Sequence, residues 1–165
     1  VGIVKSAVYR HYESKEEIIH AVFQMMVTYY DEHFGSPTHL DPLPRTTDEL
    51  LTMTMRMVHF TVYDPKVVKI RKIILTEQFR DEDISQFATR YFIEDTRSIF
   101  KKFFLHLMAS GAIKQTNVDF LAFSFTAPIT ALIHLCDRSP EKTPGALAEI
   151  EQFTRQFIAV YGINQ

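Results

Sequence analysis

Apolar residues recur at helical spacing from one end of this 165-residue chain to the other. Nowhere does a run alternate apolar and polar residues for long enough to make a strand. The pattern confines the chain to an all-α fold, and caps and breakers divide it. Residues 4–11 make one short helix. Ser14 with Glu17, and Thr46 with Glu49, are capping boxes, in which a hydroxyl and a carboxylate satisfy free N–H groups at a helix start. The first opens a helix to about Phe34, stopped by Gly35-Ser36-Pro37; the second opens one to about Tyr63. Asp64-Pro65 starts a helix ending near Phe79, with proline where its missing N–H costs least. Asp81 or Asp83 starts the longest helix, roughly 40 Å long at 1.5 Å per residue, and Gly111 marks its stop. Residues 117–136 form another helix, and Thr143-Pro144 caps the last.

With 46% hydrophobic residues, 14 Phe and 7 Tyr, the chain has the material for a real core. A net charge of −2 excludes a general polyelectrolyte binder, so any basic surface must be local. The single cysteine, Cys136, excludes an internal disulfide and reads as a small buried hydrophobe. No stretch reads as a signal peptide. The apolar run 118–136 is interrupted by Asp119, Ser124, Thr126, Pro128, Thr130 and His134. That argues for a helix sunk in protein rather than lipid, in a protein of the reducing cytoplasm, with no membrane partner. There is no glycine-rich phosphate loop, no serine nucleophile elbow and no His-Glu-x-x-His. No histidine pair has metal-ligand spacing on one helix. The expectation is no catalysis, no cofactor and no metal.

Residues 120–136 are apolar nearly all round, and a helix with no solvent face must be covered on every side. Either it is a central core helix, or one face meets its own core and the other a second copy. The second arrangement is the more economical for so few helices, and the aromatic final helix would share it. The expected homodimer contacts are Leu121, Phe125, Ile129, Leu132, Phe153 and Phe157.

The amino-terminal segment Gly2-Ile3-Val4-Lys5-Ser6-Ala7-Val8-Tyr9-Arg10-His11-Tyr12-Glu13-Ser14-Lys15-Glu16-Glu17 is a glycine turn, a short helix, a turn and a capped helix start. A short helix rich in donors suits the DNA major groove. Lys5, Ser6 and Ala7 sit at its start, where lysine can donate to guanine, serine can serve either strand and alanine offers a methyl to thymine. Read alone, Tyr9 and His11 are as well explained as partnerless surface residues, and Lys15 as an ordinary solvated helix start.

This segment resembles the TetR family of bacterial transcriptional regulators: a turn, a short recognition helix, an aromatic-basic cluster and a Lys-Glu-Glu opening. The resemblance implies phosphate contacts for Tyr9 and His11, and for Lys15 at a helix N-terminus, where free N–H groups favour an anion. It implies a DNA-binding head at 1–34 and a ligand-sensing and dimerisation domain at 35–165. Two head helices would precede Val1. Val4 departs from the pattern, standing where the family usually has a capping Ser or Thr. The implied function is a ligand-responsive regulator, most often a repressor, bound as a dimer to palindromic double-stranded operator DNA and released by a small hydrophobic or aromatic effector. Candidate pocket walls are Tyr29, Met53, Met57, Phe60, Phe104, Met108 and Phe123; His59, His106 and His134 would either orient a ligand or sit satisfied in the core. The competing reading is an all-helical small-molecule carrier or interaction module without DNA binding.

Overall fold

The computed structural model describes residues 14–35 and 42–163. Within them the protein is all-α: α1 (Lys15–Phe34), α2 (Thr47–Tyr63), α3 (Pro65–Glu77), α4 (Glu82–Thr89), a π-helical segment (Arg90–Asp95), α5 (Thr96–Ala109), α6 (Val118–Arg138) and α7 (Thr143–Tyr161). The candidate DNA contacts Lys5, Ser6, Ala7, Tyr9 and His11 lie outside the described residues, as does the side chain of Lys15.

The caps explain most boundaries. Ser14 Oγ accepts from the Glu17 N–H at 3.1 Å, and Thr46 Oγ1 from the Glu49 N–H at 3.1 Å. Glu49 reaches back one residue further than the usual box, taking the Arg45 N–H. Asp64 caps α3 through Lys66 and Val67 and also accepts from the Tyr29 hydroxyl at 3.0 Å, tying α1 to the α2–α3 corner. Asp81, not Asp83, caps α4. Gly35 and Gly111 adopt φ of 80° and 76°, the left-handed region that stops α1 and α5. Thr143 does not cap α7; it is its first residue and is buried, and Lys142 precedes it without a side-chain cap. Two backbone bonds, Lys114 N–H to Tyr161 O and Ile163 N–H to Ala112 O, pin the end of α7 to the loop after α5.

The expected single long helix is helical without a break from Glu82 to Ala109 but widens into a π-segment at Arg90–Asp95. Thr96 Oγ1 donates to the Tyr91 carbonyl at 3.3 Å, across the wider turn. α6 also runs further than expected, to Arg138, and passes through Pro128 without breaking.

The side chains form two cores. The larger joins α2, α5, α6 and α7 around Leu50, Phe103, Phe104, Leu107, Leu121, Phe125 and Ile150. The smaller joins α1, α3 and α4 around Ile19, Phe23, Met26, Ile70, Ile74 and Ile84. Phe23 and Phe87 stack there at 4.1 Å, almost parallel. Cys136 is buried in the larger core. By length and composition α6 would suffice to cross a membrane, but here one of its faces is built into that core.

The expected dimer contacts need correction. Leu121, Phe125, Ile129 and Phe157 are buried in the chain's own core, and Leu132 and Phe153 pack against it. The four buried side chains cannot meet a second copy, whereas Leu132 and Phe153 keep part of their surface open. The uncovered face of α6 is a different one, with Phe120 and Phe123 about half exposed and Ala127 and Ala131 open.

Candidate functional site

Two cores that meet along helices of unequal width leave space between them. A cavity of about 470 Å³ occupies that seam. α1 contributes Met26, Tyr30 and Phe34; α2 contributes Thr54, Met57, Val58 and Thr61. The π-segment and the start of α5 contribute Tyr91, Phe92, Asp95, Ile99 and Phe100, and α6 contributes Thr126, Ile129, Ile133 and His134. The wall is therefore mainly apolar and aromatic, with a few polar groups, the usual composition of a small-molecule site. Its rim carries both signs of charge, Asp31 and Asp95 against Arg90 and Lys102.

One end of the cavity is fixed by a buried ion pair. The Arg71 guanidinium meets Asp137 in a two-point contact, Nε to Oδ2 at 2.7 Å and the second nitrogen to Oδ1 at 2.8 Å, and also donates to the Thr61 carbonyl. Both side chains are under a tenth exposed, so the pair bolts α3, α2 and α6 together. Next to it Thr61 Oγ1 donates to the Met57 carbonyl. Its one proton is thereby used, so the Tyr30 hydroxyl, 2.7 Å away, must be the donor to Thr61. Burial pushes the Tyr30 phenol up to about 12.

Other groups are left without such partners. Tyr91, raised above the ordinary phenol range chiefly by burial, makes no side-chain hydrogen bond to any described residue. Thr54 Oγ1 is buried and unpaired among the described residues. His134 is held below its ordinary value, mainly by desolvation, with Asp137 pulling the other way. Asp31 is raised by desolvation and by the neighbouring charge of Asp95.

Of the expected pocket residues, Met57 lines this cavity and the others do not. Tyr29 turns to the α2–α3 corner, bonded to Asp64 and covered by the Lys66 ammonium at 4.1 Å. Met53 packs on the larger core. Phe60 is enclosed by Tyr29, Tyr30, His33 and Phe34 in an aromatic cluster between α1 and α2. Phe104 and Met108 are core residues. Phe123 sits on the outer face of α6 under the Arg97 guanidinium. Met53, Phe60, Phe104 and Met108 share a physical reason, since large apolar side chains that fill space well leave no cavity, whereas Tyr29 and Phe123 lie on outward-facing sides of their helices. Of the histidines, His134 lines the wall, whereas His59 is exposed beside Tyr63.

Sequence reasoning missed Tyr30, Tyr91, Thr54 and Thr61. Thr54 and Thr61 did carry a signal, since they lie two turns apart on the same side of α2, facing inward with Met57 and Val58. Among the described residues no cluster of His, Cys, Asp and Glu could hold a metal ion. Compared with known proteins, the chain matches no family model, no curated protein and no solved structure.

Proposed function

We propose that this protein is a ligand-responsive transcriptional regulator of the TetR kind, working in the cytoplasm as a homodimeric repressor. Its amino-terminal segment docks on operator DNA, and a small hydrophobic effector in the cavity releases it. The observation that carries this reading is the double role of α1. Its start follows directly on the Tyr9–Ser14 segment, and its second half forms a wall of the cavity through Met26, Tyr30, Asp31 and Phe34. A molecule that fills the cavity presses on the same rod that bears the reading segment.

The lever is long enough to matter. α1 has 20 residues, or about 30 Å, so a tilt of about 5° at its Gly35 end displaces its start by roughly 2–3 Å. Two heads docked in half-sites one duplex turn apart tolerate little change of separation. An effector shifts the equilibrium by binding the tilted state more tightly than the docked one.

The test is capture of duplex DNA from a genomic fragment pool by the full gene product, across a range of salt. Salt-dependent retention of a palindromic sequence is the expected result. Tyr9→Phe and Lys15→Ala should weaken binding on every sequence, whereas Lys5→Ala should relax sequence preference. No retention at low salt, with the cavity still able to take a ligand, favours the small-molecule carrier instead.

A further inference from the structure

Buried and half-buried threonines inside helices normally return their hydroxyl to the carbonyl four residues back. Thr61, Thr126 and Thr154 do so here, at 2.8, 2.7 and 2.8 Å. Thr54 does not. It is fully buried, it lines the cavity, and its Oγ1 meets no partner among the described residues, although the Leu50 carbonyl stands in the usual place. A hydroxyl that forgoes its own helix beside a mainly apolar wall is free to bond to an occupant once its side chain turns toward the cavity, since Oγ1 exposes under 1 Å² as it stands.

Several other polar groups around the cavity are already committed or cancel one another, while the Tyr91 hydroxyl, less deeply buried than Thr54, bonds to no described side chain. Arg71 is spent on Asp137 and the Thr61 carbonyl, and the Tyr30 hydroxyl on Thr61. The rim opposes Asp31 and Asp95 to Arg90 and Lys102, with Arg90 and Asp95 3.9 Å apart. A charge carried past that rim would exchange water for Met26, Val58, Phe100 and Ile129 and meet no charged side chain there except Arg71, already paired with Asp137. The two ionisable side chains deeper in the wall are shifted toward their neutral forms, Tyr91 upward and His134 downward, both mainly by burial.

We propose that the cavity takes an uncharged, largely apolar molecule bearing one hydrogen-bonding oxygen, and that Thr54 Oγ1 is the anchor for that oxygen. This rests on the cavity being a ligand site. At about 30 Å³ per liquid water, the space equals roughly fifteen waters, room for a molecule of about ten to twenty non-hydrogen atoms.

Calorimetric titration of n-decanol, n-decylammonium and decanoate into the 165-residue chain tests it. The alcohol should bind at least about tenfold more tightly than either ion. Thr54→Val should weaken the alcohol by about three- to tenfold, the worth of one neutral hydrogen bond, while the empty variant melts no lower than the parent. Thr54→Ser, which keeps the oxygen, should hold the affinity. Equal alcohol affinity in the valine variant, equal loss in the serine and valine variants, or tighter binding of either ion overturns the proposal and leaves the cavity reading standing. If the parent chain binds none of the three probes, the cavity reading falls and the proposal with it.

Discussion

Removing one end of the Arg71–Asp137 pair strands a charge that water cannot reach. With both side chains under a tenth exposed, Asp137→Asn should lower unfolding free energy by about 3–5 kcal/mol in urea denaturation. The double change Arg71→Met with Asp137→Leu should recover most of that loss, because the cost lies in the orphaned ion rather than in the missing contact. A double variant as unstable as the single one would mean that the pair's geometry, not its charge, holds the corner. His134 gives a pH signature. Its folded pKa lies below the ordinary 6.5, so below that pH the unfolded chain binds the proton more readily than the native one. Stability should therefore fall as pH drops from 6.5 through the depressed native value, and His134→Gln should flatten that part of the profile in thermal melts. Residues of this kind were poorly legible in the sequence. Nothing in the spacing of Arg71 and Asp137, 66 positions apart, announces a contact, and the role of Thr54 depends on a rotamer. Ser14, Thr46 and Asp64 were legible because a cap is a local interaction within three residues.

The helices were read from the sequence nearly to the residue at α1, α2 and the start of α3, where caps and glycines act locally. The π-segment was not, since one extra residue in a turn scarcely disturbs an apolar stripe. Yet this segment helps to shape the site, by placing Tyr91, Phe92 and Asp95 on the wall. A π-turn is formally an α-helix with one residue inserted. Deleting the half-exposed Ile93 should let Glu82–Ala109 run as a regular α-helix without rotating α5 relative to α4. The expected outcome is an unchanged far-UV spectrum, a melting temperature no lower than that of the parent, and loss of n-decanol binding. Retained binding in a folded deletion variant would show that the cavity does not need the wider turn. The pocket residues named from sequence failed for a related reason. Apolar periodicity reports which side of a helix is inward, and both a packed core and an empty seam are inward. Phe104 and Met57 carry the same signal, although one fills the core and the other borders the void.

At the scale of the whole molecule, the proposed repressor requires two copies, because one reading segment cannot span a palindrome. Four of the six residues first expected at the junction, Leu121, Phe125, Ile129 and Phe157, are sealed in the chain's own core, so the proposed contact would use what α6 leaves open. Phe120 and Phe123 are 55% and 52% exposed, and Ala127 and Ala131 continue their line along the helix. Two aromatic side chains followed by two small ones form a face on which a two-fold copy can pack closely: the rings cover apolar surface, and the alanines let the helix axes approach. Ala127 stands near the middle of that face, so an arginine there would set two like charges against each other across the axis. Sedimentation of the parent chain at micromolar concentration should show a dimer, and Ala127→Arg a monomer with the same helix content and the same n-decanol affinity. In the full gene product the same change should abolish capture of the palindrome while leaving weak, salt-sensitive association with any duplex, because one head still reaches phosphate but the second half-site is lost. A dimer that survives Ala127→Arg would take this face out of the assembly. A monomer that still selected the palindrome would sever the link between pairing and recognition on which the proposed repression depends.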